Sequence, residues 1–297
     1  MLFKSHFLSA CLLIFQFNLT AQPKVNYAPA WFGPNANPVP AFNAALIPAK
    51  TELNVMSDFY FGYGDNTLNT RIEIEVPLIS EFVSVKLWNT PFEYFNVTPA
   101  MAANRSMADR TGFATGDYYF QTRIKILNQQ KRKFDLVCNA TMKTASGNQF
   151  ENRRYFNTAG YYFDLELGKS FQKNSEKTNI RIAANLGFMS WITSVHTQDD
   201  ALLYGIQFIF SGKKWESQTS FSGYWGWMHT HPKYGPEFGD APMIASTRLK
   251  LNLEKTSYFC QYQYGISDFP YHQIRLGVNF RIDKLTPSFH NQSAKSN

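Results

Sequence analysis

The chain has 297 residues, a formal net charge of +7, 17% charged residues and 16% aromatic ones. The positive excess is spread along the chain without a basic cluster, which argues against nucleic acid as a partner. Beyond residue 21 no apolar run approaches the ~20 residues a spanning helix needs.

Residues 1–21 read as a secretory signal: Lys4, an apolar run from Phe7 to Leu19, then the small pair Thr20 and Ala21, with cleavage expected after Ala21. Leu8-Ser9-Ala10-Cys11 has the outline of a lipobox, but the apolar run continues past the cysteine, so lipidation is not expected. Residues 22–50 contain Pro23, Pro29, Pro34, Pro38, Pro40 and Pro48, which exclude a helix and a central strand. This segment is expected either to line a periplasmic mouth or to fold into a lumen as a plug around Trp31 and Phe32.

From residue 51 the pattern changes to period-two alternation. Twelve strands are predicted, near 53–63, 68–78, 82–95, 116–127, 134–144, 159–169, 178–190, 202–210, 215–227, 243–253, 257–266 and 272–282. In the last of them Ile274, Leu276, Val278, Phe280 and Ile282 alternate with Gln273, Arg275, Gly277, Asn279 and Arg281. Side chains on a strand point to opposite faces in turn, so one face is greasy and the other charged. Repeated twelve times behind a signal, this predicts an all-β, transmembrane, antiparallel up-and-down barrel over 51–282, with lipid outside and water inside. The tail 283–297 is polar.

The connections support the same reading. Those after even strands are short, such as Ile79-Ser80-Glu81 and Gly212-Lys213-Lys214. Several after odd strands are long: Thr98 to Thr115, Ala145 to Asn157, Ile192 to Asp200 and Met228 to Ala241. Short periplasmic turns and long external loops alternate in this way in barrels with both termini inside. Gly62-Tyr63-Gly64 reads as a hairpin turn.

The apolar face gathers aromatic residues at both strand ends. Phe59, Tyr118, Phe120, Tyr161, Phe163, Trp225, Trp227, Tyr262 and Tyr264 fall toward the long loops, and Phe210, Trp215, Tyr258 and Phe280 toward the short turns. Rings with a polar edge settle at headgroup level, so two bands mark two interfaces. Cys138 and Cys260 also fall on this face, as small apolar residues without a disulfide. Glu93 is the exception by parity, and a bulge at Pro91 is expected to reset the register there.

The opposite face is expected to line the lumen with Asp58, Arg71, Glu73, Glu75, Lys86, Arg123, Lys125, Asp164, Glu166, Arg181, Arg248, Lys250 and Arg275, joined by Lys143, Arg281, Asp117 and Glu216. This set has two readings: an internal ion-pair network filling a narrow barrel, or a wet pore with mild anion preference.

The signal, the strand map and the closing segment Ile274 to Ile282 resemble bacterial outer-membrane β-barrel proteins at the level of architecture, over roughly residues 50–282. The resemblance implies insertion in the outer membrane of a Gram-negative bacterium, contact with its lipid, and delivery by the barrel assembly machinery. It implies no substrate. The class commonly closes on a terminal aromatic residue, whereas here a polar tail follows Phe280 and Ile282.

Some barrels of about twelve strands hydrolyse lipid. The His-x-Ser pattern of outer-membrane phospholipase A is missing here: Ser194-Val195-His196 and His229-Thr230-His231 have the wrong order or composition. Candidate rim residues on the long-loop side are His196, His229, His231, Asp240 and His272, read as a folded polar loop rather than a metal site. No metal and no cofactor is expected. The leading expectation is a porin-like channel for small polar solutes. A lipid or lipid A hydrolase at the rim, and a closed barrel serving adhesion or assembly, are the alternatives.

Overall fold

The period-two alternation becomes, in a computed structural model describing residues 28–172, 178–193, 197–227 and 239–287, one closed antiparallel sheet. The strands are β1 (Thr51–Phe61), β2 (Asp65–Ile79), β3 (Val83–Val97), β4 (Thr111–Ala114), β5 (Tyr119–Leu127), β6 (Asp135–Lys143), β7 (Gly160–Gln172), β8 (Asn179–Thr193), β9 (Thr197–Ser211), β10 (Trp215–Gly226), β11 (Met243–Asn252), β12 (Thr256–Ser267) and β13 (His272–Ile282). Twelve of them form the barrel, each paired with its neighbours in chain order. It closes where β1 meets β13, from Thr51 opposite Ile282 to Phe61 opposite His272. Short β4 pairs only with the upper end of β3 and stands outside the ring. Closure leaves no open edge, the condition for spanning lipid with strands.

The two faces separate as alternation demands. Outside lies a band of exposed Ile72, Ile124, Ile180, Leu186, Leu249, Leu251 and Leu276. It is bordered toward the long loops by Phe59, Phe120, Phe163, Trp225, Tyr262 and Tyr264, and toward the short turns by Phe171, Phe210, Trp215, Tyr258 and Phe280. Large apolar side chains exposed in this continuous belt give the outer surface of a transmembrane barrel. Cys138 and Cys260 are free thiols on separate strands, β6 and β12.

Glu93 has moved to the other face. Thr70 of β2 pairs with Phe92, but Ile72 pairs with Asn89, so Thr90 and Pro91 together oppose one residue. This bulge inverts the phase of β3: Ser84, Lys86 and Trp88 point inward below it, and Glu93, Phe95 and Val97 above it.

Local departures from the predicted map lie at the long-loop end. The hairpin expected to open at Ile192–Asp200 stays paired out to Thr193 opposite Thr197. The 98–118 connection holds a helix, α1 (Pro99–Asn104). Its Thr98 caps the first turn, accepting a hydrogen bond from the Met101 backbone N–H, and Pro99 takes the first position, where no donor is lost. The turn Gly62-Tyr63-Gly64 has three consecutive positive φ angles, 101°, 53° and 73°, which its two glycines accommodate.

Candidate functional site in the barrel lumen

Residues 28–50 occupy the lumen. Near the long-loop end a 3-10 turn (Pro29–Trp31) is wholly buried; the Phe32 carbonyl accepts from Tyr271 Oη at 2.7 Å, and the Gly33 N–H donates to the Arg153 carbonyl. Asn35 Nδ2 donates to Glu93 at 2.6 Å and to Asn69 at 3.1 Å. Farther along, the N–H groups of Asn43 and Ala45 both donate to the Glu166 carboxylate, at 2.8 and 2.7 Å. Arg181 returns hydrogen bonds to the carbonyls of Ala44 and Ala45. The segment then joins β1 at the short-turn end. Prolines along this path remove backbone donors that no ladder would satisfy; Asn43 and Ala45 donate to a wall carboxylate, and Trp31, Gly33, Ala36 and Leu46 donate to backbone carbonyls.

Two layers of buried side chains pack around the segment toward the long-loop end. One is aromatic: Tyr60, Tyr162, Trp191, Tyr224, Phe269 and Tyr271 cluster with Val39 and Met189. The other is ionic. Arg105, which follows α1, and Arg154, from the 144–159 connection, share Asp65 at 2.6 and 2.8 Å. Arg154 also donates to Glu93 at 2.7 Å and to Thr67, and Tyr155 donates its phenol to Glu93 at 2.8 Å. Burial opposes the charge on Arg154, but Asp65 and then Glu93 outweigh it and hold its pKa above the ordinary value. Burial, with Glu93 beside it, pushes the Tyr155 phenol well up.

The predicted lumen residues divide into two groups. Asp58 pairs with Arg275; Glu73 with Lys86 at 2.7 Å and Arg71 at 3.4 Å; Arg123 with Glu75 at 2.8 Å and Glu166 at 3.4 Å. Arg181 reaches Asp135 at 2.9 Å, and Lys125 reaches the same carboxylate at 4.0 Å. Asp164 accepts amide hydrogens from Asn139 and Asn185, both at 2.7 Å. Arg248 and Lys250 are different. Arg248 donates Nε and Nη2 to the neutral Oε1 of Gln261, and Lys250 lies across the strand pair from Glu216.

Beside the segment runs a cavity of about 550 Å³, lined by residues 35–48 on one side and by inward groups of the wall on the other, Arg71, Arg248, Lys250 and Arg275 among them. Its size falls within the ordinary range for small-molecule pockets.

Of the candidate rim residues, His196, His229 and His231 lie outside the described residues. Asp240 is buried, and its carbonyl accepts from the Gly226 N–H. His272 sits at the start of β13 among the girdle rings: it stacks on Phe61 with centroids 5.0 Å apart and shares a 2.7 Å hydrogen bond between Nδ1 and Tyr262 Oη.

The residues that sequence reasoning missed are those of the ionic layer. Arg105 and Arg154 come from irregular connections, where no periodicity reports direction. Asp65 sits at a strand start, and Glu93 is mis-phased by one bulge residue. Four charged residues within 104–117, Arg105, Asp109, Arg110 and Asp117, were the available signal.

No family model matches the sequence, and no curated protein matches it. Solved structures with a similar fold are bacterial outer-membrane barrels. The KdgM porin superposes with a TM-score of 0.45 at 9% identity, covering 77% of this chain and 99% of that one. The Acinetobacter baumannii outer-membrane protein Omp33 gives 0.43 at 8% identity, with 81% and 100% covered. The transport unit of the Escherichia coli autotransporter AIDA-I gives 0.47 at 8% identity, with 88% and 99% covered. The likeness is one of architecture.

Proposed function

We propose that this protein is a porin-like channel for small polar solutes in the outer membrane of a Gram-negative bacterium, its lumen narrowed by residues 28–50. The observation that carries the reading is the cavity beside that segment: a space of about 550 Å³, lined by charged, polar and apolar groups, inside a barrel with a lipid-facing exterior. A closed barrel used only for adhesion or assembly needs no such space. The segment is held by hydrogen bonds to wall side chains rather than by strand pairing, so it is the part of the interior that can give way. The aromatic and ionic layers act as the gate at the long-loop end.

Insertion follows the ordinary route of such barrels: cleavage of the signal near Ala21, handling by the barrel assembly machinery, and solvation by outer-membrane lipid. The alternative, a lipid or lipid A hydrolase, rests on the sequence reading of His196, His229 and His231 alone.

The test is single-channel conductance in a planar bilayer, comparing the refolded chain with a variant lacking residues 29–46. Small discrete steps in the first and steps several-fold larger in the second are expected. Silence from both, with refolding verified by a heat-dependent gel shift, would overturn the channel reading and bring lipid hydrolysis assays forward.

A further inference from the structure

The wall of the cavity is not uniform. Around β2 to β8 the inward carboxylates each have a cation or amide in contact. Along β9 to β12 the cavity-lining residues include one carboxylate only, Glu216, close to the short-turn end. The strand register arranges the rest in two stacked rows. The upper row runs Gln207, Ser220, Ser246, Gln263, Gln273 and Tyr60, each directly opposite the next across a strand pair. All six are neutral hydrogen-bonding groups. The row beneath runs Gln218, Arg248, Gln261, Arg275 and Asp58 in the same way.

Within the lower row the two arginines differ. Asp58 takes the charge of Arg275 directly. Arg248 has the Gln261 amide oxygen and the face of the Phe259 ring, 4.9 Å from its guanidinium, but no carboxylate within 4.0 Å among the described residues; Lys250, one inward position below, likewise has no carboxylate. A half-buried guanidinium held by a neutral amide keeps an unspent attraction for an anion. In the upper row Gln207 Oε1 is buried without a protein partner, an acceptor still open to a hydroxyl donor. The segment adds Val39, Pro40 and Phe42 to the lining, with Phe42 packed on Ala183 and Ile209.

We infer that the cavity is a binding site for a small hydroxylated carboxylate of sugar-acid type. Its carboxylate meets Arg248, with Lys250 adding charge from below. Its hydroxyl groups meet the serine and glutamine row, and its less polar ring face lies against Phe42. A neutral sugar makes the hydroxyl contacts but leaves Arg248 unanswered. A small inorganic anion answers Arg248 but leaves the upper row unfilled. Both are therefore weaker ligands.

The inference rests on the channel reading only for how a solute reaches the cavity, so binding and conductance are measured separately. Isothermal calorimetry of the refolded full chain with D-glucuronate is expected to show saturable binding. D-glucose and chloride should each bind at least tenfold more weakly. Arg248→Gln should weaken glucuronate at least tenfold, and Arg248→Lys should restore it to within about threefold, both variants retaining the heat-dependent gel shift. Equal binding of glucuronate and glucose, an unchanged Arg248→Gln variant, or no saturable binding of glucuronate would each overturn the site. Saturable, Arg248-dependent binding in a protein silent in bilayers would uphold the site and refute the channel.

Discussion

Arg154 and Glu93 lie 61 positions apart, and both are completely buried where the Arg154 Nε donates to Glu93 Oε1 at 2.7 Å. That contact ties the 144–159 connection to the wall of the barrel, and Asp65 on the other side of the guanidinium ties it to a second strand. Removing one partner leaves a buried charge unanswered, which costs about 3–5 kcal/mol. Arg154→Met should therefore lower the free energy of unfolding by that amount, read from the shift of the denaturant midpoint. Adding Glu93→Gln and Asp65→Asn should recover part of it. A variant as stable as the parent would show that the contact does not hold the ionic layer.

Glu93 reaches Arg154 only because Thr90 and Pro91 share one pairing position. Deleting Thr90 alone leaves one residue opposite Arg71 and keeps Glu93 inward, whereas deleting Thr90 and Pro91 together turns Glu93 outward into lipid and Phe92 inward. The single deletion should keep the heat-shifted folded band and the double deletion should lose it. Normal refolding of the double deletion would show that β3 is phased by something other than the bulge.

Leu249 and Ser246 belong to one strand and opposite faces, the first exposed on the outer band and the second lining the cavity. Arginine at Leu249 should destabilise the protein in lipid by roughly 2–4 kcal/mol, the cost of that side chain near mid-membrane. Arginine at Ser246 enters the cavity and should cost far less. Equal effects would contradict the assignment of faces.

Glu166 accepts two backbone N–H groups of the lumenal segment, from Asn43 and Ala45. Glu166→Ala should free this stretch, raising conductance toward that of the 29–46 deletion and exposing the segment to protease. Conductance identical to that of the parent would mean that the segment is held elsewhere.

Tyr155 should report on the ionic layer through pH. Its phenol pKa is raised in the folded state, first by burial and then by Glu93. A raised folded value stabilises the protein fully below the unfolded value of about 10, and the contribution is lost as pH climbs from there through the folded value. Unfolding midpoints should fall above pH ~10, and Tyr155→Phe should fall less steeply. Parallel curves for the two proteins would refute the assignment.

Alternation alone determined the barrel. A strand's side chains point in opposite directions by geometry, so Ile274, Leu276 and Phe280 had to face one medium and Arg275 and Asn279 the other, whatever the neighbouring strands. The aromatic ends, the short-turn side and the twelve barrel strands follow from the same local rule. Only the tertiary structure decided which charges meet. Arg154, Arg105 and the prolines of residues 28–50 sit in irregular backbone, where direction is set by partners far away in the chain. The bulge at Thr90 and Pro91 shows the boundary most sharply: Pro91 marks where a register can slip, but β2 pairing fixes how far. The contrast between Arg275, matched by Asp58, and Arg248, matched by an amide and an aromatic ring, depends on strand register around the ring of strands, a long-range property that no single strand encodes.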